Sequence, residues 1–129
     1  MGTHVGREAI YDKKVDNTIR HTQGDTLDRT IILFIEDENG RAVPFTPSDG
    51  DTIRFALKGR SSDKSPIIKV DIPIDTMNLR IEAEQMKKIR ARREPYWYDV
   101  EITVQKTDGK VNVDTVIEWT PFYVTEEAD

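Results

Sequence analysis

Two segments of this chain alternate strictly between apolar and polar residues, the pattern of a strand with one buried face. Residues 51–58 place Ile53, Phe55 and Leu57 on one side. Residues 96–105 place Tyr96, Tyr98, Val100, Ile102 and Val104 on one face, and Trp97, Asp99, Glu101 and Thr103 on the other. We therefore predict two strands that share a core built from Ile53, Phe55, Leu57, Tyr98, Val100, Ile102 and Val104.

The most apolar strand that the pattern predicts spans residues 27–36. We assign one alternating set to the core, namely Leu27, Ile31, Leu33 and Ile35, which leaves Thr30, Ile32, Phe34 and Glu36 on the opposite face. Exposed apolar strand surface promotes aggregation. We therefore expect Ile32 and Phe34 to be covered, either by the N-terminal arm with Ile10, Tyr11 and Val15 or by a second subunit.

Weaker patterns complete the organisation of the chain. Further strands are predicted over residues 18–23, 67–71, 78–83 and 111–124, and a short helix over 84–89, where helix-forming residues cluster. Turns are predicted at 37–40 and 107–110, because Asn-Gly and Asp-Gly supply the positive φ of tight turns, and residues 41–50 are predicted to be a loop. Seven short strands separated by turns predict an all-β protein, an antiparallel β-sandwich. Its domain would span residues 18–125, between an arm or tail (1–17) and a C-terminal tail (126–129).

Composition agrees with strands and excludes several classes of site. Ile, Val and Thr account for 37 of the 129 residues, and these β-branched residues favour strands. The absence of Cys excludes disulfides, thiolate zinc sites and a cysteine nucleophile. There is no apolar run long enough for a membrane span and no signal-peptide pattern. The net charge of −5 argues against nucleic acid as the main partner.

No constellation of residues predicts catalysis, a cofactor or a metal site. The two histidines, His4 and His21, lack metal-ligand or triad spacing, and the acidic segment 37–40 fits a hairpin turn better than a calcium loop. The basic run 87–93 could contact an anion, but we favour cations placed at the C-terminus of the short helix. We therefore expect a protein that is not an enzyme.

The order of the turn and strand motifs resembles a known family. QGDT (23–26), DENG (37–40), PFT (44–46), YWYDVEI (96–102), DG (108–109) and WTPFYVT (119–125) follow one another along the chain. This order is similar to that of the small immunoglobulin-like domains of tailed-phage and prophage baseplates, with the N-terminal domain of baseplate upper proteins the nearest. The resemblance covers residues 18–125. Residues 92–95, RREP, stand where such domains often have a glycine-containing turn.

The resemblance implies an immunoglobulin-like sandwich of about seven strands with one short helix. It also implies a non-catalytic structural or adaptor role in a phage or prophage tail baseplate, through protein–protein assembly. Its partners would be other tail or baseplate proteins, and a homo-oligomer is also possible. The resemblance implies neither nucleic-acid binding nor membrane insertion. The protein would assemble in the bacterial host cytoplasm and reside in the virion.

A second hypothesis comes from a different class, the carbohydrate-binding modules that adhere to cell surfaces. Alternation turns Trp97 outward, and sugars stack on exposed aromatic rings. A sugar-binding protein should expose Trp97 in a shallow groove beside polar and aromatic groups, whereas a structural role for the Tyr96–Trp97–Tyr98 segment needs no such groove. The candidate interface residues are therefore Ile32, Phe34 and Trp97.

Overall fold

The protein is built almost entirely of strands. The structure, a computed structural model, describes residues 16–126 apart from 37 and 107. Within that part, its elements are β1 (Ile19–Thr22), β2 (Leu27–Thr30), β3 (Phe34–Glu36), β4 (Ala42–Pro44), β5 (Thr52–Lys58), β6 (Ile68–Ile72), β7 (Asn78–Ile81), α1 (Ala83–Met86), β8 (Tyr96–Gln105) and β9 (Val111–Thr125). The predicted all-β class is confirmed, with nine described strands where about seven were predicted.

Five of the strands form the main sheet, in the order β1-β9-β8-β5-β6. The central strand β8 pairs antiparallel with both β5 and β9, and β6 pairs antiparallel with β5 at one edge. At the other edge, β1 runs parallel to the end of β9, with Ile19 opposite Phe122. The predicted all-antiparallel arrangement is therefore wrong, and the main sheet is mixed. Two further antiparallel pairs, β2 with β7 and β3 with β4, are separate from this sheet.

The predicted alternation sets the buried face of the main sheet. The buried residues of the predicted set are Ile53, Phe55, Leu57, Tyr98, Val100 and Ile102. The rings of Phe55 and Tyr98 stack 5.5 Å apart, and Phe122 packs edge-on against both. Side chains of β2, β7 and α1 join the same core, among them Leu27, Leu79, Ile81 and Met86.

Val104 is the exception in the predicted core, because it is only partly buried. It lies opposite Asn112, which is exposed, near the end of the β8–β9 hairpin. The hairpin here extends past the buried cluster, so the alternation continues after the core has ended.

The predicted strand 27–36 is wrong as a single element. Its first part, β2, pairs with β7, whereas its last part, β3, pairs with β4. Between them the Ile31 N–H donates to the Met77 carbonyl, and the Leu33 carbonyl accepts from the Phe45 N–H, both over 2.8 Å. The backbone therefore changes partners inside the segment, while Leu27, Ile31 and Leu33 keep their predicted burial.

Two local predictions also need correction. The predicted loop 41–50 contains β4, because the turn that includes Gly40 (φ +77°) folds the chain back onto β3. The predicted helix 84–89 is α-helical only over α1. Its continuation tightens to i→i−3 bonds, in which the N–H groups of Lys88 and Ile89 donate to the carbonyls of Gln85 and Met86.

Candidate functional site

The outward face of the main sheet carries a shallow groove of about 890 Å³. The same alternation that buries Phe55 and Val100 turns their neighbours on β5 and β8 to the other face. We call this depression the outer-face groove; its lining includes Arg54, Ala56, Lys58, Asp99, Glu101 and Trp119. Lys64, Lys69 and Glu118 also line it, so the groove contains both cationic and anionic groups.

Asp99 is the least exposed charged group of this groove. Its side chain is 7% exposed, and its Oδ1 atom has no hydrogen-bond partner. The Arg54 guanidinium lies 3.8 Å from that atom but only 2.9 Å from Glu101 Oε1, so its better ion pair is with Glu101. Burial raises the pKa of Asp99, which Arg54 partly opposes and Glu101 reinforces. A buried and poorly paired carboxylate thus lies beneath the surface of the groove.

Trp119 supplies the aromatic surface of the outer-face groove. The Lys58 ammonium lies over its ring, 4.0 Å from the ring centroid, in a cation–π contact. The ring is half-buried. Lys58 therefore covers one face of an aromatic ring that lies in the same groove as carboxylate and guanidinium groups.

Trp97 lines a second, smaller groove, together with Gly59, Arg60, Ser61, Arg92, Glu94 and Pro95. Its side chain is half-buried. Arg92 stacks over the ring of Tyr96 at 3.7 Å and donates to the carbonyls of Gly59, Glu94 and Pro95. The surroundings of Trp97 are therefore polar, and the neighbouring aromatic ring is covered by Arg92.

The first half of β9 forms an exposed edge of the main sheet. Within the part of the chain that the structure describes, β1 pairs only with residues 122–125 of this edge, and residues 111–115 pair with β8 alone, so no strand covers their other side. We call Val111–Thr115 the open edge. Val111 and Val113 are 50% and 58% exposed, so β-branched side chains and unpaired backbone groups meet solvent together.

The hairpin turn determines which backbone groups face outward at the open edge. The Lys106 N–H donates to the Lys110 carbonyl over 2.9 Å, so Lys110 faces β8. Because strand residues alternate in direction, Asn112 and Asp114 also bond toward β8, and the backbone groups of Val111 and Val113 point away from it. The open edge thus presents the donor and acceptor groups that another strand would need.

The predicted interface residues are not brought together in one patch. Ile32 is 44% exposed, and Phe34 is half-buried in β3 opposite Pro44, whereas Trp97 lies in β8 of the main sheet. Ile10, Tyr11, Val15 and His4 lie outside the described residues, as do the side chains of Ile35 and Glu36.

The other candidate groups have local structural contacts. His21 shares a 2.9 Å hydrogen bond with the Asp25 carbonyl, and in the basic run Lys87 caps α1 while Arg92 ties loops to β8. Among the described residues, no group of three or more His, Asp or Glu side chains could hold a metal ion. In the same part of the chain, no helix is both long and apolar enough to cross a membrane.

Sequence reasoning missed Arg54, Asp99 and Trp119 as members of one groove. The alternation places Asp99 on the outward face, and the same pattern in residues 51–58 places Arg54 there. Strand order, which the pattern does not give, is what sets these residues side by side. Trp119 reaches the groove where the β8–β9 register shifts. No protein-family model matches this chain, and no curated protein sequence matches it either.

Proposed function

We propose that this protein is a non-catalytic structural or adaptor component of a phage or prophage tail baseplate, acting through protein–protein assembly. The observation that carries the proposal is the open edge of β9, which offers an unpaired ladder and two exposed valines to a neighbouring subunit. Isolated proteins usually blunt such edges. A protein whose role is assembly keeps an edge available for its partners.

We further propose that the fold is an immunoglobulin-like sandwich. One support for this fold is the order β9-β8-β5-β6 in one sheet, with β2 and β7 paired outside it, which is similar to the sheet order of such domains. A second support is Tyr96 near the start of β8, whose hydroxyl donates to the Arg90 carbonyl over 2.7 Å. A tyrosine bonded in this way to the backbone just upstream is typical of the corner before the corresponding strand.

The assembly role is tested in tailed particles from the strain that encodes this chain. We expect an antibody against the chain to label the tail end of purified particles in immunogold electron microscopy, and mass spectrometry to detect the chain in them. Particles from a strain in which the gene is deleted are the control. Purified, intact particles that contain none of the chain would contradict the proposal.

Saccharide binding is a second candidate, favoured by the outer-face groove. Trp119 offers a ring for stacking once the flexible Lys58 side chain moves off it, and the partly exposed Arg54 and Glu101 side chains offer hydrogen-bonding groups to sugar hydroxyls. We expect binding on a glycan array to be lost in Trp119→Ala and kept in Trp97→Ala, which alters only the smaller groove. An array without any bound glycan would rule this candidate out.

A further inference from the structure

We propose that the open edge pairs with the open edge of a second copy of this chain, antiparallel and about a two-fold axis at Asn112. The inference rests on the proposed assembly function and names a partner for it. Both require that the open edge is accessible. In this register Asn112 faces Asn112, Val111 faces Val113, and Lys110 faces Asp114.

Backbone geometry allows this pairing without rearrangement. The N–H and C=O groups of Val111 and Val113 point away from β8, so the two residues can exchange both hydrogen bonds with each other across the axis. Asn112 would then occupy a position without inter-copy hydrogen bonds, where opposite Cα atoms approach to about 4.5 Å. The pairing continues the main sheet of one copy into that of the other.

Charge and side-chain chemistry select the register. Lys110 and Asp114 are exposed, and pairing about Asn112 places each lysine opposite an aspartate, twice by symmetry. Pairing about Asp114 would instead oppose two carboxylates, which is unfavourable. Pairing about Val113 would leave Lys110 without an acidic residue opposite it. Of these three registers, only the one about Asn112 places valine opposite valine and Lys110 opposite Asp114.

The shape of the edge limits the length of the pairing. The register of β8 and β9 shifts after Thr115, a bulge that interrupts the regular ladder. In the proposed register Gly109 of the second copy lies opposite Thr115. The turn of the second copy therefore does not reach Phe122, where β1 begins to pair with β9. Two such short strands bury less than the roughly 1,200 Å² of a stable complex. The isolated dimer is therefore weak, and an assembled particle would strengthen it by holding copies close together.

Single-cysteine cross-linking tests the register directly, since the natural chain has no cysteine. Asn112→Cys should form a disulfide-linked dimer on mild oxidation at high protein concentration, seen on a non-reducing gel. The matched control, Val113→Cys, should not form one. Its two copies would lie two residues out of register, so their Cα atoms would be farther apart than the roughly 7 Å that a disulfide tolerates. Circular dichroism of both variants verifies that they are folded.

Charge exchange in the Asn112→Cys background provides the second arm. Lys110→Glu should slow cross-linking roughly three- to tenfold, and adding Asp114→Lys should restore the rate. Failure of Asn112→Cys to cross-link, or cross-linking by Val113→Cys instead, would overturn the proposed pairing. Either result can be obtained whether or not the chain is found in tailed particles, so this proposal and the baseplate role fail independently.

Discussion

Phe55 lies in the centre of the aromatic cluster, where its fully buried ring contacts those of Tyr98 and Phe122. Removing a buried ring of this size loses its transfer free energy and leaves a cavity. We expect Phe55→Ala to lower the free energy of unfolding by roughly 3–5 kcal/mol, measured by urea titration. Thr52→Ala, an exposed change in the same strand, is the control. A nearly neutral Phe55→Ala would show that the strand registers are wrong.

Asp99, unlike Phe55, lowers the stability of the folded protein when it is charged, because its charge is poorly compensated. Its pKa in the folded state lies above the ordinary value of 3.8, so the folded state binds the proton more tightly than the unfolded chain. The resulting stabilisation is complete below pH 3.8 and is lost as the pH rises through the raised pKa. At neutral pH the buried charge therefore opposes folding.

Asp99→Asn tests this sign. We expect the variant to have a higher Tm than the natural protein at pH 7. The difference should shrink as the pH falls through the raised pKa of Asp99, because the Asp99 side chain then becomes neutral as well. Glu101→Gln is the matched control on a more exposed carboxylate. A Tm difference that does not change with pH would contradict the role assigned to the Asp99 charge.

Among the elements, β5 and β8 are joined at their ends by one side chain, that of Asp51. This buried carboxylate accepts the Gln105 N–H over 3.1 Å through Oδ1 and the Ser48 N–H over 2.9 Å through Oδ2. It fixes the loop that enters β5 and holds that loop against the end of β8. Hydrogen bonds to a charged group of this kind contribute more than neutral ones.

We expect Asp51→Ala to lower the free energy of unfolding by roughly 1.5–3 kcal/mol. Asp51→Asn should lose less, because its carbonyl oxygen can keep one of the two bonds. Thermal unfolding followed by tryptophan fluorescence measures both. Equal losses in the two variants would mean that burial of the side chain, rather than its acceptor atoms, stabilises the loop.

Elements were predictable from the sequence where side-chain alternation and backbone pairing coincide. For β5 and β8 one face packs against the core along nearly the whole strand, so the alternation gives both the bounds and the buried set. In residues 27–36 the predicted set Leu27, Ile31 and Leu33 is also buried, yet the hydrogen bonds of the segment move from β7 to β4. The alternation of side chains indicates which residues are buried, but it does not indicate which strand pairs with which. The outer-face groove escaped prediction for the same reason, since Arg54 and Asp99 meet only through strand order.

At the scale of the whole molecule, the first and last described strands are neighbours. Ile19, Phe122 and Val124 are buried in the same core, and β1 pairs with the end of β9. The fold therefore closes through contacts between residues that are about as far apart in sequence as the described chain allows. Such non-local contacts slow folding, because the loop-closure entropy is lost before the contacts form.

We expect a chain that ends at Pro121 to lose cooperative unfolding in urea, because it lacks Phe122, Val124 and the partner of β1. A control chain that ends at Glu126 keeps every described strand and should unfold in one transition. Intrinsic tryptophan fluorescence follows both, through Trp97 and Trp119. A cooperative transition in the shorter chain would show that the β1–β9 pairing is dispensable.

The parallel arrangement of β1 and β9 also determines how the protein would respond to tension. A force that draws the two ends of the chain apart pulls β1 and β9 in opposite directions along their common axis. The hydrogen bonds between Ile19–Thr22 and residues 122–125 are then loaded in shear, so they must break together instead of opening one by one from an end. In a subunit joined to its neighbours through its two ends, this pair of strands would resist extension until its hydrogen bonds break.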